Sequence, residues 1–206
     1  MPTRLIPDII VGRLPRYLRA LNRMAQDGRQ TTSSQELGER LGISAAQIRK
    51  DLSQFGEFGK QGTGYTIGFL TKQLQLILNV DRIWDMALVG LGDLGHAIVR
   101  YQGFQDCGFQ IKLVFDNDPR VVGTEVNHFT VHDISEMPAL VHQADIKIAM
   151  MTVPARVAQS VADQLVKSGI KAILNYAPVA LTVPEGVHVQ YIDPVIHLQR
   201  MTYYLE

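Results

Sequence analysis

Trp84-Asp85-Met86-Ala87-Leu88-Val89 runs straight into Gly90-Leu91-Gly92-Asp93-Leu94-Gly95-His96-Ala97-Ile98-Val99, and this junction decides the architecture of the C-terminal half. The first six residues read as a buried strand, and the glycines that follow have GxGxxG spacing at its end. Gly90 permits a tight turn, Gly92 lets the backbone approach a pyrophosphate, and Gly95 lets the next helix pack on the strand, with that helix's N-terminus facing the phosphates. Such a motif is weak alone, so the next strand decides. Ile111-Lys112-Leu113-Val114-Phe115 ends in Asp116, 21 residues beyond Gly95, where an acid is placed to bind the adenosine ribose hydroxyls. A carboxylate there repels a 2′-phosphate, and Asn117 and Asp118 follow with no adjacent arginine. NADH and NAD⁺ are therefore the expected ligands and NADP(H) is not.

Downstream the pattern alternates, with strands expected over 127–131, 146–152, 172–175 and 187–192 and helices over 134–142 and 155–167. Alternation on this scale predicts an α/β, Rossmann-like, doubly wound parallel sheet. Thr152-Val153-Pro154 and Asn175-Tyr176-Ala177-Pro178 end two of its strands and should join Gly90, Leu91, Gly92, Asp93, Leu94, Gly95 and Asp116 at the carboxyl edge, where such sheets bind ligand. Asp193-Pro194 then reads as a cap and first helical residue. The final helix carries Val195, Leu198, Met201 and Leu205 on one stripe. It either covers its own subunit or docks on another chain, and the pattern leaves both open.

Upstream, Leu14, Tyr17, Leu18, Leu21 and Met24 recur at helical spacing before Asp27-Gly28. Ser33 with Glu36, and Ser44 with Gln47, form two capping-box patterns around Leu41-Gly42-Ile43, the layout of a helix-turn-helix whose second helix enters the DNA major groove. On that second helix, expected to run to about Phe55, Ile48 and Leu52 face inward and Ala46, Arg49, Lys50 and Ser53 face outward. Arginine can bond a guanine edge or a phosphate in two places, lysine supplies a point charge, and serine meets base or backbone. The glycine-punctuated run from Gly56 to Ile67 reads as a β-hairpin wing with Lys60 near its tip. Ser44, Ala46, Gln47, Arg49, Lys50, Ser53 and Lys60 are the candidate DNA contacts. Leu70, Leu74, Ile77 and Leu78 mark a linking helix.

The division is thus a winged helix-turn-helix domain over 1–80, a dinucleotide-binding domain over 81–192 and a dimerisation helix over 193–206. Charge follows it: residues 1–80 hold 11 Lys and Arg against 6 Asp and Glu, and residues 81–206 hold 9 against 14, so the halves are +5 and −5 although the chain is neutral. The basic half suits a polyanion. Cys107 is the one cysteine, so no intrachain disulfide forms, no Cys/His spacing suggests a metal site, and a reducing cytoplasm fits best. Neither an export signal nor an 18-residue apolar run is present. A small NAD-dependent oxidoreductase is the main alternative, yet no length remains for a substrate domain, no Tyr-x-x-x-Lys pair occurs, and His96, His128, His132, His142, His188 and His197 are scattered. A CoA-binding regulatory domain is another, and Asp116 argues for NAD(H) instead.

A winged helix joined to a compact NAD-binding domain, with a terminal helix left over, resembles the Rex family of redox-sensing transcriptional repressors. Tyr17-Leu18-Arg19, Ile48-Arg49-Lys50-Asp51-Leu52, Gly62-Thr63-Gly64-Tyr65, Val89 to Gly95, Thr152-Val153-Pro154 and Ile173-Leu174-Asn175-Tyr176-Ala177-Pro178 carry the likeness, which spans nearly the whole chain. The resemblance implies a homodimer with swapped terminal helices and double-stranded operator DNA in an inverted repeat, bound with NAD⁺ and released by NADH. It also implies that Arg19, Tyr101 and Asp193 form a polar trio linking the domains. The chain departs from the family at Pro194, where many members place a bulky apolar residue beside the nicotinamide.

Overall fold

In the computed structural model, residues 6–59 and 64–205 are described. The chain divides into two compact units, Met1–Arg82 and Ile83–Glu206.

The first unit begins with a single helical turn, α1 (Asp8–Val11), and then α2 (Leu14–Gln26), which the Asp27-Gly28 pair ends with Gly28 at φ 77°. A short strand β1 (Thr31–Thr32) leads into α3 (Ser34–Leu41) and α4 (Ala45–Leu52). The strand β2 (Tyr65–Thr66) and helix α5 (Ile67–Ile77) follow. The apolar stripes meet as their spacing requires. Leu14, Tyr17, Leu21 and Met24 of α2 pack with Leu37, Ile48, Leu52, Leu70 and Leu74 in one core.

One detail corrects the sequence reading of this unit. The second helix of the helix-turn-helix stops at Leu52, with Ser53 as its C-cap, rather than near Phe55. The strand after the glycine run, Tyr65–Thr66, pairs antiparallel with Thr31–Thr32, and the tip of the expected hairpin wing, residues 60–63, lies outside the described residues. Gly64, at φ +76°, makes that pairing possible, because a Cβ there would lie 2.3 Å from the Thr32 carbonyl oxygen. A two-residue Thr-Thr strand carries no periodicity long enough to read. Lys60 lies outside the described residues.

The second unit is a seven-stranded sheet. Its strands are β3 (Trp84–Val89), β4 (Phe109–Asp116), β5 (Glu125–Val126), β6 (Phe129–Asp133), β7 (Ile148–Met151), β8 (Ala172–Asn175) and β9 (His188–Tyr191). Between them run α6 (Asp93–Arg100), α7 (Met137–Gln143) and α8 (Ala155–Lys167), and α9 (Pro194–Thr202) closes the chain. The strand order is β5-β6-β4-β3-β7-β8-β9, and every pairing but β5 with β6 is parallel. Leaving β5 aside, the parallel strands taken in chain order sit 3-2-1-4-5-6, the doubly wound dinucleotide order. Alternation puts Ala87 and Val89 in the core beneath α7 and α8, and Met86 and Leu88 in the core on the other face, with Ile98 and Val99 of α6.

The antiparallel edge was not expected. Asn127 and His128, read as strand residues, have φ 47° and 66°. They form the two-residue loop of a β5–β6 hairpin, a conformation that the right-handed strand twist favours, so the parallel strand begins at Phe129. Among the described residues no helix is long and apolar enough to cross a membrane.

Candidate functional site

The carboxyl edge of the sheet opens where chain order reverses, between β3 and β7, and a cavity of about 670 Å³ lies there. Three glycines shape the β3 to α6 junction beside it for three different reasons. Gly90 sits at φ +98°, and a Cβ on it would meet the Thr152 carbonyl oxygen at 2.9 Å. Gly95 is packed so tightly that a Cβ would stand 2.0 Å from the Gly90 oxygen, which fixes how closely α6 approaches β3. Gly92, the N-cap of α6, has nothing within 4 Å of its would-be Cβ. No described residue requires a glycine there, and the open space lies at a helix N-terminus where an anion is favoured.

Thr152 closes the switch point by donating its hydroxyl to the Gly90 carbonyl at 2.7 Å. Across the cavity, Asp116 accepts hydrogen bonds from the backbone N–H groups of Leu91, Asn117 and Asp118 at 2.6, 2.7 and 2.8 Å. The carboxylate is thereby oriented at the end of β4. Asp118 is bonded to Arg120, which holds its carboxyl down to about 2. Burial pushes the Tyr176 phenol up.

Of the residues expected at this edge, Gly90, Leu91, Gly92, Asp93, Leu94, Asp116, Thr152, Val153, Pro154, Tyr176, Ala177 and Pro178 line the cavity. Gly95 and Asn175 do not. Asn175 is fully buried and turns back on its own loop, donating to the carbonyls of Ala177 and Val179 and accepting from the Ala177 N–H. It positions the Tyr176 to Pro178 segment. The sequence reading missed Val121, Ile134, Ser160 and Gln164 in the lining; they sit on a loop, a 3-10 turn and α8, where no strand end flagged them.

In the first unit, α3 and α4 form the helix-turn-helix. Ser33 and Ser44 accept hydrogen bonds from the N–H groups of Glu36 and Gln47 at 3.1 and 3.2 Å, and Gly42 takes the left-handed conformation that ends α3. Glu36 does not reach back to complete its capping box: its carboxylate engages Thr32 and Arg29 instead. Gly38 lets the helices close, since a Cβ would stand 2.3 Å from the Ile43 oxygen. Ser44, Ala46, Arg49, Lys50 and Ser53 are exposed. Arg49 donates to Ser34 at 2.9 Å, and Ser53 donates to the Lys50 carbonyl.

Gln47, expected on the same face, is half-buried and donates to Asp51 at 2.6 Å. Asp51 is the residue that the sequence reading passed over. Its carboxylate is fully buried and also receives Arg13 Nε at 2.6 Å, Arg13 Nη2 at 2.7 Å and the Tyr17 hydroxyl at 2.6 Å. Burial alone raises a carboxyl pKa, yet these donors outweigh it and Asp51 sits below its ordinary value. Burial pushes Tyr17 up to about 12, so it stays a donor. An acid at i+3 from Ile48 breaks the apolar stripe in the one direction that faces α2, and that is its only sequence signal.

Arg19, Tyr101 and Asp193 belong to different elements. Arg19 is exposed on α2 and lines a cavity of about 350 Å³ with Arg16, Arg23 and Arg40. Tyr101 is the C-cap of α6 and stacks edge-on with Phe104 at 4.9 Å. Asp193 caps α9 by accepting from the Val195 N–H at 2.9 Å, with Pro194 as the first helical residue. The apolar side of α9 is exposed: Val195, Leu198, Met201 and Leu205 are 55 to 80% accessible. Among the described residues no His, Cys, Asp and Glu cluster could hold a metal.

A helix-turn-helix joined to a dinucleotide fold with an open cavity at its switch point defines a class, the ligand-responsive regulators of DNA. Two family models match its parts, a putative DNA-binding protein N-terminus over residues 5–53 and a CoA binding domain over residues 81–179. The redox-sensing transcriptional repressors Rex of Roseiflexus sp. (strain RS-1) and Chloroflexus aurantiacus are each 51% identical over 97% of this chain, covering 90% and 94% of the relative. The crystal structure of RSP, a Rex-family repressor, in complex with β-NAD⁺ and operator DNA aligns with a TM-score of 0.92 at 36% identity, covering 98% of this chain and 93% of that one. Its complex with β-NADH aligns with a TM-score of 0.89 at 34% identity, covering 98% and 94%. The chain belongs to the Rex family of redox-sensing transcriptional repressors.

Proposed function

We propose that the protein represses transcription in the cytoplasm by binding an inverted-repeat operator as a homodimer, and that NADH in the cavity of its second unit releases the DNA while NAD⁺ permits binding. The observation that carries this reading is the open space over Gly92 at the N-terminus of α6, faced across the cavity by the oriented carboxylate of Asp116, in one chain with a helix-turn-helix. The glycine cradle takes the pyrophosphate, Asp116 takes the adenosine ribose and turns away a 2′-phosphate, and the Thr152 to Pro154 and Tyr176 to Pro178 segments take the nicotinamide half. Ser44, Ala46, Arg49, Lys50 and Ser53 form the reading face on α4, with Lys60 on the wing, and Gln47 serves that face by holding Asp51. The uncovered stripe of α9 docks on a second copy as a swapped helix, where Arg19, Tyr101 and Asp193 of the dimer rearrange between redox states. The protein is a repressor and not an enzyme, as its relatives are.

A gel shift with an inverted-repeat operator library at several NADH/NAD⁺ ratios tests both units together. Occupancy should fall as the reduced fraction rises, and occupancy indifferent to that ratio would overturn the proposal. The CoA binding domain match supports one other ligand for the same edge, and displacement of NADH by CoA at comparable concentration would favour it.

A further inference from the structure

The cavity contains three aspartates, Asp93, Asp116 and Asp118, and among the described residues no lysine, arginine or histidine lines it. Two of the carboxylates are already committed, Asp116 to three backbone N–H groups and Asp118 to Arg120. Asp93 is engaged with neither kind of partner among the described residues, and it is exposed at the first position of α6. The N-terminus of a helix holds a partial positive charge that attracts anions within its first turn. Here a side chain of the chain itself already places a negative charge at that spot. A ligand whose phosphates seat there gains the backbone donors and meets the Asp93 carboxylate at the same time, with no cation in the lining to compensate.

We infer that Asp93 sets the nucleotide affinity of this sensor by opposing the ligand's pyrophosphate at the α6 N-terminus, keeping the cavity weaker than its backbone cradle alone would make it. The inference rests on the dinucleotide reading above. The repulsion acts on the half of the ligand that NADH and NAD⁺ share, so it lowers both affinities together and moves the concentration at which the sensor responds, not its preference between redox forms. A single like-charge pair a few ångströms apart in a partly solvated cleft is worth about tenfold in affinity. Salt screens it, since the Debye length shortens from about 14 Å at 50 mM to about 4 Å at 500 mM.

The test titrates the full-length protein and its Asp93→Asn variant with NADH, with ADP-ribose and with adenosine, at 50 and 500 mM NaCl, after thermal melts show both folded. Asparagine keeps the shape and removes the charge. The variant should bind NADH and ADP-ribose about tenfold more tightly at low salt, bind adenosine within twofold of the parent, and lose most of its advantage at high salt. Equal or weaker binding of ADP-ribose by the variant would overturn the inference, and so would a gain that extends to adenosine, because adenosine carries no phosphate. Absence of any binding of NADH to the parent protein would instead refute the dinucleotide reading itself, an outcome these titrations keep separate.

Discussion

Asp51→Asn is the substitution whose consequence the structure fixes most closely. Oδ1 of Asp51 receives Arg13 Nη2 and Gln47 Nε2, and Oδ2 receives Arg13 Nε and the Tyr17 hydroxyl. An asparagine keeps one oxygen and puts an NH₂ in place of the other, so in either orientation two donors face a donor and the Arg13 guanidinium loses its counter-charge. Breaking one side of a buried ion pair costs about 3–5 kcal/mol, and Arg13, with its side chain 19% exposed, recovers part of its hydration. The low end, about 3 kcal/mol, is expected, which is roughly 100-fold in an opening equilibrium. Hydrogen exchange of the full-length protein reads it directly: amides of α4 that exchange through opening of the first unit should speed up by that factor, and those of β3 and β7 should not change. The pH dependence adds a second arm. Asp51 lies below its ordinary carboxyl pKa when folded, so its stabilisation is whole above the unfolded value and is lost as the pH falls through the folded one. The gap between parent and variant is therefore full above roughly pH 5 and narrows only in acid. Exchange in α4 within threefold of the parent at pH 7 would refute the reasoning.

Arg49→Ala should leave stability nearly unchanged, because its hydrogen bond to Ser34 is exposed. On operator DNA it should cost about 1–3 kcal/mol if the guanidinium reads a base, and weaken operator and scrambled DNA alike if it touches only phosphate; equal affinity for both DNAs before and after substitution removes Arg49 from the interface. Gly92→Ala and Gly95→Ala make a matched pair. The first should keep the melting temperature and abolish tight nucleotide binding, because only a ligand meets its Cβ, whereas the second should lower the melting temperature as well, by an overpacking cost of about 1–3 kcal/mol against the Gly90 oxygen. Identical melts for the two variants would contradict that division. Leu198→Glu with Met201→Glu changes side chains 58 and 61% exposed in the single chain, so the subunit should stay folded while sedimentation equilibrium shows the dimer weakened at least 100-fold. An unchanged dimer would place the subunit interface elsewhere.

What the sequence made legible follows from the length of each signal. The β3 to α6 junction, the strand ending at Asp116 and the two capped helices were readable because each spans several residues of strong local preference. The Rossmann edge could be named for the same reason: strand ends are where glycine, proline and aspartate interrupt apolar runs. Thr31–Thr32 and Glu125–Val126 were not readable, being strands of two residues whose existence depends on a partner elsewhere in the chain. The bond between Gln47 and Asp51 was out of reach for a related reason. Helical wheel position told which way each side chain leaves α4, but not that Arg13, 38 residues earlier, waits there. Asn175 was read as lining the edge and instead folds onto its own loop, a choice made by two carbonyls that sequence cannot orient.

Under the proposed reading, the cavity has to do two jobs, and its lining separates them. NADH and NAD⁺ carry the same adenosine and the same pyrophosphate, so Gly90 to Gly95, Asp93 and Asp116 meet identical chemistry in both and can only scale affinity. A ligand shifts a conformational equilibrium no further than its differential affinity for the two states allows. The redox signal must therefore enter where the ligands differ, at the nicotinamide ring and its charge. On that side the single chain offers Thr152, Val153, Pro154, Tyr176, Ala177 and Pro178, none of them charged. Couplings of about 1–3 kcal/mol suffice for a switch, and a ring that differs by a full positive charge supplies that much only if a charged or strongly polar group comes within reach of it. Among the described residues these segments supply the Thr152 hydroxyl and the Tyr176 ring and phenol, so under the proposed reading the redox preference is drawn from them and from what a second subunit brings, while the glycine cradle, Asp93 and Asp116 set the scale of affinity.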